Sequence, residues 1–195
     1  MRPILPALIL LTVGLPQNLV TNGDFEKGLA GWGGADNARL VEEGGRKHVM
    51  VVKPGGSLTQ RVTLPSNTYR IHLTLRMRVS NITVGDQSWK DARLAMDFRA
   101  AAGKQVGGWP NVFNLQGTRP WTNLERSYSV PPDAVALNLG AANFGPTGTV
   151  EFDDIRIEAT GVRPSSPSDA ALPAGVTDPW NTAGAWRETS RTSER

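Results

Sequence analysis

Thr68-Tyr69-Arg70-Ile71-His72-Leu73-Thr74-Leu75-Arg76-Met77-Arg78-Val79 is the stretch that decides the fold. Tyr69, Ile71, Leu73, Leu75, Met77 and Val79 alternate with Arg70, His72, Thr74, Arg76 and Arg78. A period of two over this length describes a long strand with one apolar and one wet face. By that pattern Tyr69 faces the core. Ala92–Arg99 repeats it, with Leu94, Met96 and Phe98 against Arg93, Asp97 and Arg99. Val135–Ala141 does so again, with Val135, Leu137 and Leu139 against Asn138. Val49–Val52, Leu58–Thr63, Thr122–Val130 and Thr149–Ile157 are further candidate strands. Turn residues fall between them, such as Pro54-Gly55-Gly56, Pro65-Ser66-Asn67 and Pro131-Pro132-Asp133. No stretch carries a 3.6-residue period. Short strands at this spacing, roughly seven to ten of them, predict an all-β antiparallel sandwich of the jelly-roll kind.

Composition narrows the function. The chain has 195 residues and a net charge of +3, too little to argue for a nucleic-acid partner. With no cysteine there is no disulfide framework, thiolate nucleophile or cysteine metal site. His48 and His72 are the only histidines, which excludes a multi-histidine zinc site. Residues 1–17 read as a signal peptide, with Arg2, an apolar Ile4–Leu15 and small Thr12 and Gly14. The apolar run is shorter than the ~20 residues a membrane span needs. The expectation is a secreted or extracytoplasmic protein, in the periplasm or at the cell surface, with no membrane span. Residues 18–160 form the sandwich. Residues 161–195 read as a linker and unstructured tail, marked by Pro164, Pro167, Pro173 and serines.

Asn18-Leu19-Val20-Thr21-Asn22-Gly23-Asp24-Phe25-Glu26 with Gly31-Trp32 resembles the opening of carbohydrate-binding modules of the family 4, 9 and 22 type. Val150-Glu151-Phe152-Asp153-Asp154-Ile155-Arg156-Ile157 is similar to their closing strand. The resemblance covers Asn18–Ala159. It implies a galactose-binding-like jelly roll, glycan binding without catalysis, and a structural calcium ion. Calcium takes six to eight hard oxygens. In the family the Glu after Phe and the first Asp of the last strand are ligands. That carries to Glu26 and Asp153, with Asp24 through its carbonyl and Glu43 as the nearest carboxylate of the middle loop. Asp153 and Asp154 are successive strand residues, so only one is expected to reach the ion.

Sugar rings stack on aromatic faces while polar side chains read the hydroxyls. Trp109, set in Val106-Gly107-Gly108-Trp109-Pro110-Asn111-Val112-Phe113, fits that need, with Asn111 and Phe113 beside it. Trp89 is a second platform. Trp32 reads as a core anchor and Trp121 as packed. The polar strand faces carry Arg70, His72, Arg76 and Arg78 on one strand and Arg93, Asp97 and Arg99 on another, with Asn138 on a third. These faces show no aromatic residue. If the strands share the concave sheet, the groove is basic and favours uronic-acid or sulfated polysaccharide over neutral glycan. A solvated face with internally paired arginines is the other reading.

No Gly-x-Ser-x-Gly, His-Glu-x-x-His or phosphate loop is present. Asp97 is the one carboxylate placed on the polar face, where a glycosidase needs two. His72 with Arg70, Arg76 and Asn138 makes a faint polysaccharide-lyase constellation. The expected function is a non-catalytic polysaccharide-binding module of a secreted protein, targeting an attached glycoside hydrolase to its substrate. The alternative is a structural or protein-interaction sandwich in a multi-domain surface protein.

Overall fold

A computed structural model of the chain describes residues 17–110 and 112–162. Residues 1–16 of the expected signal segment and the tail beyond Val162 lie outside the described residues. Among the described residues there are ten strands: β1 (Ala38–Glu43), β2 (Arg46–Val51), β3 (Gly56–Thr63), β4 (Thr68–Ile82), β5 (Ala92–Arg99), β6 (Gln105–Val106), β7 (Asn114–Leu115), β8 (Gly117–Ser129), β9 (Ala136–Asn143) and β10 (Thr149–Val162). One sheet runs β1-β2-β10-β4-β8. The other runs β3-β9-β5-β6, with β7 also paired to β5. Every pairing is antiparallel. The only helical turn among the described residues is the three-residue Ala35–Asn37.

The alternating stretches become strands because their apolar sets meet across the two sheets. Ile71, Leu73, Leu75, Met77 and Val79 of β4 and Phe152, Ile155 and Ile157 of β10 face Leu58, Leu94, Met96, Phe98, Leu137 and Leu139 of the second sheet in one core. β5 has the bounds expected. β10 runs through Gly161 and Val162, two residues into the expected linker. Tyr69 departs from the expected alternation. Register shifts in β10 at Ala159/Gly161 and Gly161/Val162 break the period. Thr68 turns inward and Tyr69 is exposed, its ring lying where a Cβ on Gly161 would otherwise sit. Val135, expected inside, is exposed and precedes β9.

The opening motif ties the chain's start to its last strand. Leu19 N donates to Ile157 O at 2.7 Å, and Ile155 N donates to Gly23 O at 2.9 Å. The approach is so close that a Cβ on Gly23 would lie 2.0 Å from Ile155 O, which is why this position is glycine. Asn22 holds the following turn, donating to Gly28 O and Ala30 O and accepting from Lys27 N. Phe25 and Trp32 then pack in the core with ring centres 5.4 Å apart. Trp32 is the core anchor expected, and its indole N–H donates to Asn22 O.

Candidate functional site

The outer face of the β3-β9-β5 sheet carries a groove of about 480 Å³. Strand register lays out its floor. Thr59, Gly140 and Ala95 form one row across the three strands, and Arg61, Asn138 and Asp97 form the next. The first row is nearly stripped of side chains at its centre. A Cβ on Gly140 would touch only the Ala95 Cβ, at 3.6 Å. The second row is polar, with Asn138 Nδ2 donating to Asp97 Oδ1 at 3.3 Å.

Aromatic rings border the groove. Trp109 lines it and is 72% exposed. Its loop leaves β6, which pairs with Phe98 and Arg99 at the far end of β5. Gly107, at φ 73°, packs so closely on Pro131 that a Cβ would meet Pro131 Cγ at 2.3 Å. Gln105 Nε2 donates to Gly108 O and secures the same turn. The loop is therefore held while the ring it presents stays in solvent. Phe144, next to the β9 residue paired with Ala92, lines the groove from the opposite end of β5. Trp89 packs edge-on against Phe144 at 5.9 Å and is 47% exposed.

No protein-family model matches the chain, and no curated protein matches it in sequence. Solved structures match its shape. The CBM22-1 xylan-binding domain of Paenibacillus barcinonensis Xyn10C superposes with a TM-score of 0.54 at 15% identity, over 76% of this chain and 97% of that one. A family 16 carbohydrate binding module-2 does so with a TM-score of 0.51 at 20% identity, over 72% and 99%. The enzymatically active domain of bacteriophage CBA120 tailspike protein 4 gives 0.54 at 13% identity over 72% of this chain, which spans only 21% of that one. The fold is the carbohydrate-binding-module jelly roll.

In this fold Trp109, Asp97 and Asn138 line one groove. Arg93 shares their face but is anchored, its Nε donating to buried Asp91 at 2.6 Å. Two expected site residues are elsewhere. Arg76 lies on the outer face of the other sheet, because β4 and β5 are in different sheets. Phe113 is 7% exposed and belongs to the core, with the Arg126 guanidinium over its ring. Asn111 lies outside the described residues. The lyase constellation is also divided, with Asn138 on one sheet and His72, Arg70 and Arg76 on the other.

The opposite face is not free of aromatics. Trp121 of β8 lies there, with Arg76 and Arg78 guanidinium carbons 4.9 and 4.8 Å from its ring centre and His48 edge-on at 5.1 Å. Beneath it Arg78 grips Glu151 with a two-pronged fork at 2.8 and 2.6 Å, and His48 Nε2 lies 2.7 Å from Glu151 Oε2. A groove of about 500 Å³ runs beside this cluster, lined in part by Arg76, Asp154 and Arg156. Its charges are already paired: Arg76 with Asp153 at 3.2 Å, Arg156 with Glu158 at 3.1 Å. The Arg76 and Arg78 guanidinium groups stack on the Trp121 ring, which is half-buried.

Asp153 is 2% exposed and receives Arg46 and Arg76, each at 3.2 Å. Burial, then the charge of Asp154, pushes its carboxyl above the usual value, against the pull of both arginines. Asp154 was expected to point away. Instead β10 bulges between Asp153 and Arg156, Asp154 takes φ 50°, and its carboxylate also meets Arg46, at 2.7 Å. Glu26 accepts from Lys47 N at 3.2 Å and is near enough to act on the Arg46 charge. Glu43 does not join them. It pairs with Arg78 at 3.0 Å, whose hydrogen bond and charge hold its carboxyl below the usual range. Asp24 Oδ1 accepts from Glu26 N at 3.4 Å within its own turn. Among the described residues no three or more His, Asp or Glu side chains gather as a metal would need. Of the four expected ligands, Asp153 meets the Arg46 guanidinium beside Asp154, and Glu26 is near enough to act on its charge.

Thr59, Arg61, Gly140 and Phe144 complete the groove and were not singled out in the sequence. Thr59 and Arg61 were readable, since Leu58–Thr63 alternates and puts both outward. Phe144 had no signal, because only the β9–β10 turn brings it over the sheet.

Proposed function

We propose that this module is non-catalytic and holds a polysaccharide segment in the groove across β3, β9 and β5. One observation carries the reading: Trp109 stands in solvent on a braced loop, over a floor reduced to Ala95 and Gly140, beside a polar row. A sugar ring stacks on the indole while Asn138 and Thr59 meet its hydroxyls. Asp97 is the one carboxylate in the lining, and Arg99 Nη2 already donates to it at 2.9 Å. A glycosidase needs a pair of carboxylates across the scissile bond, so this lining supports binding rather than hydrolysis.

The same proposal extends to the whole protein. The segment of residues 1–17 exports the chain, and the linker composition past residue 160 suits attachment to a glycoside hydrolase. The module then acts by proximity, raising the enzyme's effective concentration on the polymer. Among the described residues no helix is long and apolar enough to cross a membrane. A calcium ion belongs to the proposal as a structural pin. Glu26 and Asp153, with the Asp24 carbonyl, would hold it, and it would tie the opening turn to β10.

Affinity gels test the groove. The full chain is run through neutral, uronic and sulfated polymers, with Trp109→Ala beside it. The expected result is loss of retardation in the variant with an unchanged melting temperature, since the exposed ring supports no packing. Equal retardation of both proteins would remove the groove from the proposal. Retardation by no polymer would favour a protein-interaction sandwich.

A further inference from the structure

We propose that the groove takes an anionic sugar, with its carboxylate or sulfate seated on the Arg61 guanidinium. The inference rests on the groove as the glycan site and adds the class of sugar.

Three arginines on this outer face differ in what they hold. Arg93 is committed to Asp91 and to Ser88 O. Arg99 is committed to Asp97 and to Gly103 O. Arg61 lines the groove, is exposed, and has no ion pair or side-chain hydrogen bond among the described residues. Its nearest partner in register is Asn138, with Asp97 a strand further on. Two strand spacings put the Arg61 and Asp97 backbones roughly 10 Å apart, and Arg99 already neutralises Asp97. The lining therefore carries one uncompensated cation.

The chemistry of that cation selects the ligand. A guanidinium is a planar fork that gives two parallel N–H bonds to carboxylate or sulfate oxygens. A neutral sugar laid over Arg61 would displace its water and return only weak hydroxyl acceptors, which leaves a charged donor poorly satisfied. Asn138 supports the arrangement. Its Nδ2 donates to Asp97, and its Oδ1 accepts from a sugar hydroxyl beside the acid group. Trp109 supplies the stacking face and Arg61 the charge reader, so the two contacts are separable by mutation.

The test uses the full chain and three polymers of one sugar configuration: a neutral galactan, a galacturonate polymer and a sulfated galactan. Parent, Arg61→Gln, Arg61→Lys and Trp109→Ala are compared at low and high salt, each checked for an unchanged melting temperature. The expected result is retention by an anionic polymer that weakens with salt. Arg61→Gln should lose about ten- to a hundred-fold in affinity for that polymer, as for a charge-assisted hydrogen bond, and Arg61→Lys less. Which anionic polymer responds distinguishes carboxylate from sulfate. If Arg61→Gln binds the anionic polymer as the parent does while Trp109→Ala does not, the charge reading falls and the groove stands. If binding is stronger to the neutral polymer and indifferent to salt, the charge reading also falls. If Trp109→Ala and Arg61→Gln both bind every polymer as the parent does, or nothing binds at all, the groove falls with it.

Discussion

Filling the groove from its floor separates binding from folding more cleanly than removing a ring. Gly140 sits in the middle of β9, between Thr59 of β3 and Ala95 of β5. Its side-chain direction is outward, and a Cβ there meets only the Ala95 Cβ at 3.6 Å, an ordinary contact. Glycine in a strand interior costs roughly 0.5–1 kcal/mol relative to alanine. Gly140→Ala should therefore be stabilising by about that amount. For a domain of this size that raises the melting temperature by roughly 2–4 °C. Gly140→Leu keeps the backbone gain and lifts a branched side chain into the path of any chain crossing the floor. Disturbing a central contact typically costs about 2 kcal/mol or more, about thirty-fold in affinity. Calorimetry gives the melting temperatures, and affinity gels with the polymer that retards the parent give the binding. The reasoning predicts opposite signs in one variant: a more stable protein that binds far less. Gly140→Leu binding as tightly as the parent would show that the glycan does not cross this floor. A lower melting temperature for Gly140→Ala would show that the site is not open as described.

Three further perturbations probe the rest of the module. Trp121→Ala strips the cover from His48 and two stacked guanidinium groups; urea unfolding should show a loss of about 2–4 kcal/mol, with groove affinity within two-fold of the parent. A larger effect on binding than on stability would move the site to that face. Gly23→Ala puts a Cβ into Ile155 O and must lift the opening segment off β10, so the urea midpoint should drop by the equivalent of about 2 kcal/mol or more; an unchanged midpoint would refute the close approach. Calcium at Glu26 and Asp153 competes with Arg46 for Asp153, so added calcium should raise the melting temperature over chelator, and more so in Arg46→Met. Equal melting in calcium and chelator for both proteins would eliminate the ion.

Local alternation carried most of the fold and little of the assembly. β4, β5 and β9 were legible because each has one buried face. β1 was not, since it is an edge strand whose residues are mostly exposed and show no alternation in burial. β6 and β7 are too short, at two residues each, to have a period. Trp109 was legible as an exposed loop residue because the glycines around it signal a loop. Phe113, four residues later, was misread because the same loop re-enters the sheet at β7 and buries it. Alternation says that Arg76 and Arg93 both face solvent, but not that their strands lie in different layers. Tyr69 and Asp154 sit at bulges, where the count of two fails and only the pairing partner fixes direction.

The two outer faces have similar raw materials and opposite fates. Both carry arginines, at least one carboxylate and a tryptophan. On the β10-β4-β8 face the cations and anions lie directly across from each other: Arg78 opposite Glu151 and Arg76 opposite Asp153. Facing charges pair at once, and Trp121 is drawn down onto the paired arginines. On the β3-β9-β5 face, Asn138 stands between Arg61 and Asp97 and keeps them apart, while Asp97 is satisfied by Arg99 on its own strand. That leaves a cation without a partner, and a tryptophan whose ring nothing in the described protein covers. Exchanging Asn138 for aspartate tests this difference. Arg61 would gain a facing carboxylate, as Arg78 has in Glu151. Binding of an anionic polymer should fall at least as far as in Arg61→Gln, with its salt dependence reduced. Undiminished salt-sensitive binding in Asn138→Asp would show that the register of charges across the sheet does not set the ligand.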